Sequence, residues 1–196
     1  MRKIYVLIFI VLNTFSVSYC QFTKAGGGLG YSTGFPFHEM PWDANKSGHF
    51  DISLKGIYQL SLPLQISPSF TYLLPHITKE SSLGEEITTT VSTMMFDINC
   101  QYIFNTLDRF EFYGLAGLDI LLANKKEVYS SPESTNRETD NSLGLNLGVG
   151  TFMKITEQIS LYGEAKYIVS KYHQFLLNAG VLINLDWLKK NETPAK

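Results

Sequence analysis

Cysteine is almost absent from this 196-residue chain, which holds two, Cys20 and Cys100. That excludes a disulfide framework, because Cys20 falls at the end of a segment expected to be removed and Cys100 then stands alone. It reads as a small apolar strand residue. Charge is also sparse, at 17% of residues, with no basic excess, so a nucleic-acid partner is not expected. After the first twenty residues no apolar run approaches the roughly 20 residues that a bilayer helix needs. The glycine run Gly26-Gly27-Gly28-Leu29-Gly30 lacks the Lys-Ser/Thr pair and the following helix of a phosphate loop. Close packing of neighbouring strands is the better account of it.

Catalytic constellations are missing too. The four histidines, His38, His49, His76 and His173, fall near one expected rim, but no two share metal-ligand spacing. Ser170 precedes His173 by three positions, which is too little for a lipid hydrolase. No catalytic residue, metal site or cofactor is assigned.

What is present begins with Met1-Arg2-Lys3, an apolar run from Ile4 to Leu12, and Ser18 and Cys20 before Gln21. This is the pattern of a secretory signal peptide, with cleavage expected after Cys20; bulky Tyr19 weakens lipidation of that cysteine. Without Arg2 and Lys3 the chain keeps 14 basic residues against 18 acidic ones, a net charge of −4. The expected organisation is a signal peptide at 1–20, one barrel domain at 21–188 and a polar tail at 189–196. Trp187 and Leu188 are expected at a membrane interface.

The mature sequence alternates with period two, the signature of half-buried strands, over 23–34, 49–61, 65–76, 89–104, 110–123, 141–155, 160–172 and 174–185. In the fifth strand one face reads Phe112, Gly114, Ala116, Leu118, Ile120 and the other Glu111, Tyr113, Leu115, Gly117, Asp119. Charge therefore sits on one side only. The mixed face carries Gly117, Gly144, Gly148, Gly150 and Gly180, which suits a crowded lumen better than a wet surface. Connections alternate in length, long at 35–48, 77–88 and 124–140 and short at 62–64, 105–109 and 156–159. Transmembrane barrels keep short turns on the periplasmic side and long loops outside. The fold class is therefore all-β, an up-and-down antiparallel transmembrane barrel of about eight strands. Odd strands rise to the surface in this topology. Ser131 to Asp140 has no apolar residue to pack, so it is expected to be a solvated loop, with Arg137 and Lys125-Lys126 cut first by added protease.

The segments Phe112-Tyr113-Gly114-Leu115-Ala116-Gly117-Leu118 and Leu161-Tyr162-Gly163-Glu164-Ala165-Lys166-Tyr167 resemble strands of the outer-membrane β-barrel families of Gram-negative bacteria, including the small OmpA and OmpX types. The resemblance spans nearly all of 22–185. It implies the fold strongly and the function weakly, since members serve as anchors, adhesins and pores. One departure is that the last strand ends at Leu185 with an eleven-residue tail, where many members finish on an aromatic residue.

Inward charges are expected at Lys24, Asp51, Lys55, Asp97, Glu111, Asp119, Lys154, Glu164 and Lys166. Their near balance of sign suggests ion pairs filling a narrow lumen rather than a selective pore. The expected function is a non-catalytic outer-membrane barrel with a structural or surface-interaction role, its partners being outer-membrane lipid and an extracellular protein met by the loops. The rivals are a small-solute pore and a soluble periplasmic barrel that holds a lipid or other ligand in an apolar cavity.

Overall fold

The computed structural model describes residues 22–34, 48–82, 85–130 and 133–185. The expected signal peptide, His38 and the tail with Trp187 and Leu188 lie outside them. The alternating segments form eight strands: β1 (Phe22–Ser32), β2 (His49–Ser61), β3 (Leu64–Ser82), β4 (Glu85–Leu107), β5 (Phe110–Ser130), β6 (Glu133–Lys154), β7 (Ile159–Val169) and β8 (Gln174–Asn184). Each pairs antiparallel with the next, and β1 pairs with β8, from Lys24↔Asn184 to Ser32↔Leu176, closing the barrel. Among the described residues no helix is long and apolar enough to cross a membrane. Strands do the crossing.

The direction of the two faces decides between the membrane barrel and the soluble one. Along β2, Asp51, Ser53, Lys55 and Ile57 are buried in the lumen, while Phe50 and Leu54 are 69% and 60% exposed on the outside. The same holds for Leu143, Leu145, Leu147 and Val149 of β6. A soluble carrier would turn this apolar face inward. So large an outward apolar belt is stable only against lipid. Exposed aromatic residues gather toward both ends of the wall, Phe22, Tyr102, Phe104 and Phe110 near the chain termini and Tyr31, Phe50, Tyr167 and Phe175 at the other end. Such girdles mark the two membrane interfaces. Cys100 is exposed on this outer face of β4, as expected of a small apolar strand residue.

Glycines permit close approach where rings enter the lumen. Gly28 and Gly180 face each other across β1 and β8, and a Cβ on either would collide with neighbouring backbone and with the Tyr162 side chain. The Gly26–Gly30 run is thus wall packing.

Strand lengths differ from expectation at one end. A tilted strand of about 9 to 11 residues spans a bilayer, and β1, β7 and β8 have 11 each. β3 to β6 run to 19, 23, 21 and 22 residues. The surplus lies where long loops were expected. Segments 77–88 and 124–140 are largely ladder, paired from His76↔Val91 to Ser82↔Glu85 and from Leu121↔Ser142 to Ser130↔Glu133. Glu133–Asp140 is therefore strand, not solvated loop. Its side chains are polar throughout, and backbone pairing to β5 does not require apolar ones. The turns at the terminal end are short as expected, at 62–63, 108–109 and 155–158.

Candidate functional site

Two regions concentrate polar chemistry: a belt inside the lumen and a sheet that projects from it. The belt is built from inward positions of β2, β4, β5 and β7, which alternation brings to the axis. Lys55 of β2 donates to Glu164 of β7 at 2.5 Å, and the Tyr113 hydroxyl donates to the same carboxylate at 2.9 Å. Lys55 also lies 4.8 Å from the Tyr162 ring centroid. Lys166 donates to Asp97 at 2.6 Å, Asn146 donates to the other Asp97 oxygen at 2.7 Å, and Ser69 donates at 3.0 Å. Asn178 donates to Asp51 at 3.1 Å. Asp119, the cross-strand neighbour of Asp97, lies against Asp97 and Lys166. Four buried carboxyl groups, Asp51, Asp97, Asp119 and Glu164, thus surround two buried lysines.

Apolar layers cap the belt at both ends. Ile57, Tyr113, Leu115, Phe152, Tyr162 and Leu182 close the terminal side, with Tyr113 stacked on Phe152 at 4.5 Å. Leu73, Met95, Leu121, Ala123, Ile168, Tyr172 and Leu176 close the other. The alternation placed Tyr113 and Leu115 on the mixed face of β5, but that face was read as a polar, crowded lumen. The recurrence of apolar residues at its two ends was the available signal.

Of the nine expected lumen charges, six (Asp51, Lys55, Asp97, Asp119, Glu164 and Lys166) lie in the belt. Lys24 and Glu111 form a looser pair at 3.6 Å near the terminal mouth, and Lys154 is exposed at that mouth. Of the histidines, the side chains of His49 and His173 are described, and they do not form a site together. His49 is buried, His173 is exposed and stacks on Tyr167, and among the described residues no three His, Cys, Asp or Glu side chains form a metal-binding group. The Ser170 hydroxyl, three residues from His173, donates to the Tyr172 carbonyl and accepts from the Tyr172 amide, so it is engaged in the β7–β8 turn. Two concavities of about 860 Å³ open outward on the lipid-facing wall, one of them among Leu29, Tyr31, Phe50, Val149 and Ala179.

The projecting sheet consists of β3 to β6 beyond the point where their neighbours stop. β2 leaves β3 after Asp51↔Leu73, and β7 joins β6 only at Leu145↔Val169. Past those points no strand among the described residues pairs with the outer edge of β3 or of β6. The edges differ. Pro75 and a register shift between Leu73 and His76 interrupt β3, whereas β6 pairs with β5 without a shift through to Glu133. Near its base, β6 is held by the β7–β8 turn, since Lys171 donates to Asp140 at 2.6 Å and the Tyr172 hydroxyl donates to the same carboxylate. These bonds hold the Asp140 carboxyl down at about 2. Higher up, Glu127 is lowered by its bond from Lys125, which lies 2.8 Å away.

The family model for the outer membrane protein beta-barrel domain matches residues 7–187. This chain belongs to that family. No curated protein matches it. Among solved structures, the attachment invasion locus protein Ail of Yersinia pestis, in complex with the heparin analogue sucrose octasulfate, is similar at 16% identity and a TM-score of 0.53, over 82% of this chain and 99% of that one. A major outer membrane protein from Thermus thermophilus aligns at 12% identity and a TM-score of 0.54, covering 82% and 98%. OprG from Pseudomonas aeruginosa aligns at 9% identity and a TM-score of 0.54, covering 84% and 95%. At these identities the likeness is one of fold. The chain is an outer-membrane β-barrel protein.

Proposed function

We propose that this barrel is a non-catalytic membrane anchor for a binding sheet on the cell surface, and that its lumen does not conduct. The projection of β3–β6 beyond the wall, with a regular β6 edge that no strand among the described residues pairs, carries this reading. Unpaired strand edges are templates for an added strand, and most proteins blunt them with proline, lysine or bulges. The β6 edge from Ser134 to Thr139 has no proline, lysine or bulge, and its charges are one of each sign, Arg137 and Glu138. Short turns at the terminal end assign that end to the periplasm and the sheet to the exterior.

Charge narrows the partner. Residues 74–93 and 122–142 hold four basic side chains (Lys79, Lys125, Lys126, Arg137) and seven acidic ones (Glu80, Glu85, Glu86, Glu127, Glu133, Glu138, Asp140). A polyanion such as the one bound to Ail is disfavoured here, and an extended, neutral or basic protein segment is favoured. Two copies in one membrane present β6 in the same direction, so they cannot pair antiparallel with each other. The closed belt and its apolar caps speak against a pore.

The test places a photo-crosslinker at Asn136 on the β6 edge and, separately, at Leu147 on the lipid wall, in intact cells. A discrete protein adduct from position 136 alone, lost when Thr135→Pro blocks the edge, is the expected result. Equal adducts from both positions, or adducts indifferent to the proline, would refute the edge as the docking element.

A further inference from the structure

A second polar concavity lies at the opposite end of the barrel. Below the apolar layer of Tyr113 and Phe152, a blind pocket of about 220 Å³ opens toward the terminal mouth. Its floor is the Phe152 ring, with the Lys24 ammonium 4.9 Å from the ring centroid. Three cations line it from three separate elements: Lys24 at the start of β1, Arg109 in the β4–β5 turn and Lys154 at the end of β6. The last two are fixed side by side, because the Lys154 amide donates to the Arg109 carbonyl at 2.8 Å. Asp108, at a φ of 46°, shapes the two-residue turn that presents Arg109.

The cations of this pocket are not all engaged as Lys55 and Lys166 of the belt are. Lys24 has Glu111 at 3.6 Å, but among the described residues no hydrogen bond or ion pair engages the side chains of Arg109 or Lys154. Glu157 is the one other acid in the lining, so three cations face two carboxylates. The sign is the reverse of the mature chain, in which acids outnumber bases. Neutral donors complete the lining, the Ser160 hydroxyl and the Asn184 amide. Lys24 is held by Glu111 and the Asn184 amide donates to the Glu157 carbonyl at 3.1 Å, which leaves the Arg109 guanidinium and the Lys154 ammonium, beside the Ser160 hydroxyl, as charged donors unengaged among the described residues, the composition of an oxyanion site.

We propose that this vestibule binds a small oxyanion, a phosphate or carboxylate group, with Arg109 and Lys154 as its principal contacts. One such group neutralises the surplus charge. Size limits the ligand: the pocket is smaller than the roughly 300 Å³ at which drug-sized sites begin, so it takes a small ion or the end group of a larger molecule. The group could come from a free periplasmic anion or from the headgroup of an inner-leaflet phospholipid. The periplasmic placement rests on the orientation proposed above, whereas binding to the purified barrel does not depend on it.

The experiment titrates inorganic phosphate into the full mature protein, at constant ionic strength, in zwitterionic-lipid nanodiscs. Nuclear magnetic resonance follows the Arg109 side-chain N–H and the Lys154 and Ser160 amides. A saturable shift confined to these residues is expected, weakened about tenfold or more in R109Q/K154Q and unchanged in Lys171→Gln at the far end. If the double variant loses the folded spectrum, Lys154→Gln alone serves, since that side chain is exposed. Repeating the titration with phosphatidylglycerol in the disc separates the sources. Weaker apparent phosphate affinity there identifies the headgroup, and unchanged affinity identifies the free anion. A linear, non-saturating shift, or an equal response in R109Q and K154Q, would overturn the site. Loss of edge crosslinking at Asn136 with phosphate binding intact would refute the surface reading alone.

Discussion

The belt and the projecting sheet use the same residue types to opposite ends. In the belt, Lys55 and Lys166 each hold one carboxylate at hydrogen-bond distance with almost no exposure to solvent. In the sheet, Lys125 meets Glu127 at 2.8 Å with both side chains partly open to solvent, on strands held together by the backbone ladder. Burial makes the difference: a charge in a narrow lumen must be paired, while one above the membrane is satisfied by water and screened by salt. The belt should therefore answer substitution with stability, and the sheet with binding.

The sharpest way to break this comparison is Lys166→Met. It withdraws the cation from Asp97 and from its neighbours Asp119 and Glu164. Breaking a buried pair by removing one partner costs on the order of 3 to 5 kcal/mol. The thermal unfolding temperature in detergent should fall strongly, and K166M/D97N should recover part of the loss. No change in K166M would mean that the belt is hydrated and its pairs are expendable.

Glu164→Ala should follow closely, at about 3 kcal/mol, because it strands Lys55 and the Tyr113 hydroxyl together. The wild-type protein should give no sustained channel in a planar bilayer. Stable conductance whose selectivity changes in Glu164→Ala, at unaltered unfolding temperature, would turn the anchor into a small pore.

The barrel was legible because period-two alternation survives any detail of packing: Phe50, Ile52 and Leu54 against Asp51, Ser53 and Lys55 suffices for β2. Six belt charges were legible for the same reason. The pairing among them was not, since Lys166 meets Asp97 across 69 positions and strand shear, not sequence spacing, decides the partner. The sheet was hidden by composition. Ser134 to Asn141 lacks apolar residues, and polar strands look like loops when no apolar face reports them. Protease should accordingly cut near Arg137 and Lys126 slowly, because the two face each other in a ladder.

The smallest effect belongs to the latch between the two regions, where Asp140 of β6 accepts from Lys171 and Tyr172 of the β7–β8 turn. Those bonds hold the Asp140 carboxyl at about 2, below the ordinary value near 4. A depressed carboxyl contributes stability that is fully present above its unfolded value and is lost as pH falls through its folded one. The latch should therefore be closed at neutral pH and open between about pH 4 and pH 2. Lys171 is raised by the same bond, so its contribution is also complete at neutral pH. The pair lies on the surface, and exposed pairs are weak and screened, so global stability should barely move. Amide exchange of Tyr172 and His173 should quicken a few-fold across that acid window in the wild type. In Asp140→Asn it should be quick already at neutral pH and flat below. An acid response that persists in Asp140→Asn would assign the turn's anchorage to the apolar layer around Tyr172 instead, and the two regions would then be joined by packing alone.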